Sequence, residues 1–334
     1  MSARPSPDAC DAEIIEAPGC IQPHAALLCL DGATFQVLAA SANLAALAPE
    51  LADNASELVG LLPGTVDEAG CDLVVPARIC PPHGGWAFAH RRGDVVHVEI
   101  EPLAAEDLQP RMPVPGLHAA VAALGGCAGP EEAAALLARH VRAITGMERV
   151  LVYRLEDSGD GEVVAEAVAE GLDSFLHFHF PAADIPARAR DLYRRSPARF
   201  APSRAYRPVA LEPAVHPGTG QPFDIGACFC RSLSPVHRDY LANLGVDGSL
   251  SLSIVEDGRL WGLVIGHHRQ PHRVPIFARH QALTLAAAFA IHVGATERAR
   301  ERDLRALHQA LRTQFLRRAE ARGDLSRHLV DPAS

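Results

Sequence analysis

Apolar and polar positions along the chain switch between a strand-like and a helix-like rhythm, and the switches mark the elements. Ala25 to Leu30 is an apolar run of strand length; an Asp31-Gly32 turn breaks it before Phe35 to Ala40 resumes. A short helix around Asn43 to Leu47 is followed by Gly- and Pro-rich loops. Trp86 to His90 and Val95 to Pro102 then predict a hairpin across Arg91 to Asp94. Leu103 to Pro113 reads as a linker. Beyond it, apolar residues recur at helical spacing over Val114 to Ala123 and Pro130 to Thr145. Strands are predicted over Arg149 to Arg154 and Glu162 to Val168, then a buried turn, Phe180 to Pro186. That turn opens a helix to Arg195, with the Asp184 carboxylate as cap and Pro186 in the first turn.

The stretch from Ala201 to Ala227 shows neither rhythm, and an irregular segment of that length inside a compact domain marks either a missed element or a functional feature. A second hairpin follows, Ser249 to Glu256 and Arg259 to His267 about Asp257-Gly258. Ser249, Ser251 and Ser253 alternate there with Leu250, Leu252 and Ile254, so one strand face is uniformly small and hydroxylic. Pro275 to about Arg322 reads as one long helix, or two in series. Its Leu304, Leu307, Leu311 and Phe315 form an apolar stripe that predicts a parallel homodimer.

Composition narrows the classes. With 334 residues, 48% hydrophobic and 21% charged, the chain is expected to be a soluble protein of about two domains. A net charge of −9 without a basic stripe argues against nucleic acid as a partner. All 31 basic residues are arginine, and the absence of lysine removes Schiff-base chemistry. Met1 to Ala12 has no secretory character. The apolar run Ala282 to Val293 is too short to cross a bilayer, so a cytoplasmic location is expected. The 8 cysteines include no CxxC pair, so neither a zinc site nor a disulfide framework is indicated.

Three stretches carry a more specific signal: Pro18-Gly19-Cys20-Ile21-Gln22-Pro23-His24, the turn Phe180 to Pro186 with its helix and Arg199, and Arg231 to Tyr240. In the last, Ser234-Pro235 is a cap followed by proline, which sets His237 and Tyr240 on one helical face. Together they resemble the bacterial phytochromes over almost the whole chain. The resemblance implies an α+β chain: an N-terminal tail (1–17), a PAS domain (18–105), a GAF domain (106–300) and a C-terminal helical linker (301–334). It further implies that the N-terminal segment threads a lasso loop of the GAF domain in a figure-of-eight knot, with Ile21 at the crossing. The activity implied is red/far-red photoreception by a linear tetrapyrrole, with a PHY domain and an output such as a histidine kinase downstream.

The same resemblance distributes roles. Cys10 is the implied attachment thiol, and a thiol on the tail implies biliverdin; plant-type phytochromes place theirs where Val236 stands here. Cys20, where relatives often carry serine, is a second thiol able to compete. Arg199 and Arg231 would hold the propionates, with Tyr193, Ser234, Ser249 and Ser251 as hydroxyl partners. The Asp184 carbonyl, in the turn completed by Ile185 and Pro186, would accept from the pyrrole nitrogens with a water shared by His237. Titration of His237 near neutral pH would couple protonation to light. Tyr153, Phe175, Phe180 and Tyr240 would wall the rotating ring and His267 would bond its carbonyl; Ala183 departs from the usual serine. No general acid or base is needed, so no enzymatic activity is expected of this part. Two other readings stand beside this one. In the first, a GAF/PAS module binds a cyclic nucleotide or other metabolite, its phosphate on Arg199 and Arg231. In the second, a redox or metal sensor uses Cys228-x-Cys230, which lacks two further ligands at sensible spacing.

Overall fold

A computed structural model of the chain describes residues 14–321 apart from 54, 110, 111 and 157. Cys10 lies outside the described residues. Two antiparallel sheets organise the rest. The first contains β1 (Cys20–Ile21), β2 (Ala26–Asp31), β3 (Val37–Ser41), β4 (Cys71–Val75), β5 (Gly85–Arg92), β6 (Val95–Pro102) and, from far along the chain, β11 (Val209–Glu212). Their order is β1-β11-β3-β2-β6-β5-β4. β5 and β6 form the expected hairpin, closed by Gly93-Asp94 with Gly93 at a positive φ of 58°.

Helices α1 (Leu44–Leu47), α2 (Pro49–Asp53) and α3 (Ser56–Val59) lie on one side of this sheet over Leu28, Leu30, Val96, Val98 and Ile100. The opposite face is buried as well. Leu27, Cys29 and Ala39 pack there against Leu211, Phe223, Ile225, Cys228 and Cys230 of the long loop. β2 is therefore apolar on both faces, and its sequence ALLCLD does not alternate.

The second sheet runs β10-β12-β13-β7-β8-β9. Its strands are β7 (Arg149–Leu155), β8 (Gly161–Val168), β9 (His179–Phe180), β10 (Ala198–Ala201), β12 (Gly248–Glu256) and β13 (Arg259–His268). One face carries Val150, Val152, Phe200, Leu250, Leu252 and Val264 into the main core, beneath α4 (Val114–Gly125), α5 (Pro130–Thr145) and α8 (Ile276–Ala321). α5 begins on Pro130 and ends where Gly146 takes φ 73° and donates to the Arg142 carbonyl, both favoured terminators. On the other face lie α6 (Ala187–Arg195) and the loops around it, while Leu241 of α7 (Pro235–Asn243) meets Ala201 at the sheet edge.

α8 is one continuous helix. Ala278, Ala282, Leu285, Phe289 and Val293 bury its first half on the sheet. By length and composition this helix is apolar enough to cross a membrane, but 56% of its apolar window is buried inside the protein. The linker between the domains is pinned to the start of α8. Asp107 accepts from the Ala104 amide at 2.7 Å and meets Arg273 at 2.5 Å, and Glu101 pairs with Arg279.

Residues 14–17, which the resemblance assigns to the N-terminal tail, belong to this framework. The Ile225 amide donates to the Glu16 carbonyl at 2.9 Å, and the Glu16 carboxylate pairs with Arg188 of α6. The segment then runs between the two limbs of the long loop. Ile21 pairs with Val209 on one side and bridges Arg231 on the other, and the Gln22 amide donates to the Cys230 carbonyl at 2.7 Å.

Candidate functional site

Strand alternation builds the site from the sheet upward. On β12, Leu250 and Leu252 enter the core, so Ser249 and Ser251 face the other way. Register then gathers their neighbours. Arg199 of β10 lies directly opposite Ser251, and His267 of β13 directly opposite Ser249. Arg149 of β7 continues the row beyond His267, and Leu151, Tyr153, Leu263 and Ile265 extend the same face as an apolar patch. Phe175, Phe180, Ile185 and Tyr193 pack onto that patch, so a ring of aromatics closes the side of the sheet away from the core. The Tyr153 and Phe180 rings meet edge to face at 5.9 Å, and the Arg149 guanidinium lies over Phe175 at 3.9 Å.

The second wall comes from the loop and α7. The Ser234 hydroxyl caps this helix, accepting from the His237 amide at 3.1 Å, with Pro235 in the first turn. His237 and Tyr240 then stack at 6.0 Å from the same helical face, as their spacing predicted. Arg231 reaches the Ile15 carbonyl through Nη1, while its Nε is buried with no hydrogen-bond partner among the described residues. Burial and the neighbouring Arg199 lower its pKa to about 9. Arg199 donates to the Ser232 carbonyl at 3.3 Å. His267 is buried, its Nδ1 unpartnered among the described residues and its pKa lowered to about 4 by desolvation and Arg149.

Two expectations need correction. The Phe180–Pro186 turn is not buried: Asp184 is exposed, at the end of a 3-10 turn (Ala182–Asp184). It does not cap α6 either, because Pro186 occupies the Ncap position and no side-chain cap bond forms. Burial and then the nearby Asp184 charge raise the pKa values of Tyr153 and Tyr240, so this carboxylate lies near the aromatic wall. The second correction concerns His237. Burial, then Arg199, His267 and Arg231, lower its pKa to about 3, so the ring is neutral through the physiological range instead of titrating there.

Cys20 is half-exposed on β1, on the segment that Ile21 anchors. Sequence reasoning overlooked Arg149 and Tyr206. Tyr206 accepts from the Leu233 amide at 2.6 Å and bonds the Ser232 hydroxyl at 2.9 Å, fixing the loop ahead of α7. Neither residue stood in a recognisable motif; β-register and a fold of the loop brought them in.

A linear tetrapyrrole needs anchors for two carboxylates, polar groups toward its nitrogens and carbonyls, and an apolar slot for its rings. This face and its loop wall supply each: the Arg231 Nε, unpartnered among the described residues, with the Ser249 and Ser251 hydroxyls, the His267 Nδ1, and the Tyr153–Phe175–Phe180 cluster. The donor set fits such a group.

An α+β first domain joined to a six-stranded sheet with one helix-covered face and one polar-aromatic face defines a PAS–GAF sensory module. The family models agree: the GAF domain matches residues 129–296 and the PAS fold residues 10–66. The bacteriophytochromes of Xanthomonas campestris and Pseudomonas aeruginosa are each 35% identical, over 87% and 97% of this chain. The chromophore-binding domain of an unusual bacteriophytochrome from R. palustris superimposes with a TM-score of 0.72 at 31% identity, covering 87% of this chain and 99% of that one. The chain belongs to the bacteriophytochrome family. It covers 48% and 46% of the two curated relatives, about half their length.

Proposed function

We propose that this chain is a red/far-red photosensory module that binds biliverdin covalently. The observation that carries the reading is the polar-aromatic sheet face with its loop wall, where Arg231 and His267 bury nitrogens that have no partner among the described residues, close to two serines and an aromatic cluster. An unpartnered buried donor costs about 1–3 kcal/mol, and a bound carboxylate would offset it. Arg231 and Arg199 would fix the propionates, assisted by Tyr193, Ser234, Ser249 and Ser251. His237, the carbonyl of Asp184 and the adjoining Ile185 and Pro186 would face the pyrrole nitrogens. Tyr153, Phe175, Phe180 and Tyr240 would bound the terminal ring, with His267 at its carbonyl. When bound, the pigment supplies light absorption and Z/E isomerisation at its last methine bridge.

Everything else asked of the chain is binding and positioning, so no catalytic residue is assigned. Attachment falls to Cys10, with Cys20 the competing thiol. Threading of the tail through the long loop at Ile21 would hold that thiol near the pocket. We further propose homodimerisation through α8, a cytoplasmic setting, and PHY and output domains in the parent protein. Biliverdin added to the pigment-free chain and followed by denaturing mass spectrometry tests the core of this reading. A covalent red-absorbing adduct at Cys10, lost in Cys10→Ser and kept in Cys20→Ser, is expected; absence of any adduct or of a red band sinks it.

A further inference from the structure

A second cluster lies away from the sheet face just described, between the first domain and the long loop. Cross-strand register sets Cys29, His97 and His90 in one row of the first sheet, on the face covered by the loop. The loop lowers Cys228 onto that row, with its Sγ at 3.9 Å from His90 Nε2. One ligand atom from each of His90, His97 and Cys228 lies within 4.8 Å of the others, and all three residues are buried. The imidazoles stack at 5.2 Å.

Their hydrogen bonding is incomplete. Both ring nitrogens of His97 and the Nδ1 of His90 have no partner among the described residues, although the two residues are only 1% and 2% exposed. Such groups are costly to bury and need an explanation. A metal ion bound to these nitrogens would supply the partners they lack. Glu99, two residues beyond His97 on the same face of β6, accepts from the Cys230 amide at 2.7 Å and leaves its Oε1 unpartnered. An approach exists: a surface groove of about 320 Å³ is lined by His97, His216, Phe223 and Asp224.

We propose that His90, His97 and Cys228 bind a divalent transition-metal ion, Zn²⁺ by the character of the ligands, and so clamp the long loop onto the first domain. Two imidazoles and a thiolate are ligands zinc accepts, at about 2.0–2.1 Å for nitrogen and 2.3 Å for sulfur. Ligand atoms around a tetrahedral zinc lie about 3.3–3.6 Å apart, so small side-chain rotations close the present triad. Water would complete the coordination. On binding, the Cys228 thiol loses its proton to solvent as the sulfur–metal bond forms. Sequence spacing had suggested that Cys228-x-Cys230 lacked further ligands. They come instead from a hairpin more than 130 residues earlier in the chain.

The test uses the full, untagged, pigment-free chain stripped by a chelator, since a bilin can itself bind zinc. One equivalent of Zn²⁺ retained after desalting is expected. Co²⁺ in its place should give a near-ultraviolet thiolate-to-cobalt band. That band should vanish in Cys228→Ala. His97→Asn should lower affinity by more than the roughly 10–100-fold that loss of an outer-shell partner costs. Retention of no metal, or a cobalt spectrum without the thiolate band, overturns the proposal, as does equal binding by Cys228→Ala through surface histidines. If either variant fails to fold, the cobalt spectrum of the unaltered chain decides alone. The proposal rests on none of the pigment-facing residues, so its failure leaves the photosensory reading untouched.

Discussion

The side-chain amide of Gln22 donates to the main-chain carbonyl of Phe200 at 2.8 Å, joining positions 178 residues apart. The same amide nitrogen reaches the Arg231 carbonyl at 3.2 Å, and the residue is fully buried. One side chain thus ties the N-terminal segment to β10 and to the returning limb of the long loop. Replacing it strands two carbonyls in the interior, so Gln22→Ala should cost about 1–3 kcal/mol. Urea unfolding of the chain measures this. A change under about 0.5 kcal/mol, the range of an ordinary surface substitution, would contradict it.

Stability should fall on mild acidification. His24 and His267 have pKa values lowered to about 4 by burial, against an ordinary 6.5. Between those values the unfolded chain binds the protons and the folded chain refuses them. Stability is therefore whole above about pH 6.5 and declines as pH drops toward 4. Urea midpoints taken across this window should slope downward toward acid, and His24→Gln should flatten the slope. A His24→Gln profile parallel to that of the unaltered chain would remove His24 from the account.

Gly161 has no room for a side chain because the Tyr153 ring lies over it across the β7–β8 pair. A methyl there must displace the ring and, with it, the aromatic cluster. Gly161→Ala should shift or broaden the red absorption band of the biliverdin-loaded chain while leaving covalent attachment intact. An unchanged spectrum would mean that Tyr153 does not border the pigment.

The guanidinium of Arg231 is buried near Arg199 and Tyr193. A charge-assisted hydrogen bond is worth about 1.5–3 kcal/mol, so Arg231→Ala should weaken reversible biliverdin binding roughly 10- to 100-fold. The measurement belongs in a Cys10→Ser background, by absorbance titration, where attachment cannot mask affinity. Undiminished affinity would return Arg231 to a purely structural role in holding the Ile15 carbonyl.

The outer half of α8 exposes Leu304, Leu307, Leu311 and Phe315, the last at 69%. Spacings of three and four put them on one stripe, which a second copy would cover. Sedimentation should give a dimer for the chain and a monomer for Leu307→Glu combined with Leu311→Glu. Identical behaviour of the two would move the interface elsewhere.

Much of the scaffold could be read from local pattern. The α5 span Pro130–Thr145 and both hairpins stood out because their periodicity and turn residues agree. The Ser249/Ser251 face was visible for the same reason, since alternation with leucine admits only one inward side. Elements whose stability is borrowed were hidden. β10 is four residues, ARFA, with no alternation of its own, yet it carries Arg199 because β12 supplies its ladder. β11 is equally short and is held between β1 and β3, which lie some 170 residues or more earlier in the chain. The turn before α6 looked buried by its composition, but it ends in open solvent at Asp184.

The chain's own pattern of apolar, polar and turn residues was enough to specify two α+β domains, a long apolar-striped helix and the residue types a tetrapyrrole would need. Such features are set within a turn or a strand, where neighbours in sequence are neighbours in space. Folding alone decided that the long loop would grip the N-terminal segment, that Arg231 and His267 would be buried, and that His90, His97 and Cys228 would meet. Those depend on strand register and on which loop covers which sheet face, and no local stretch of residues encodes either.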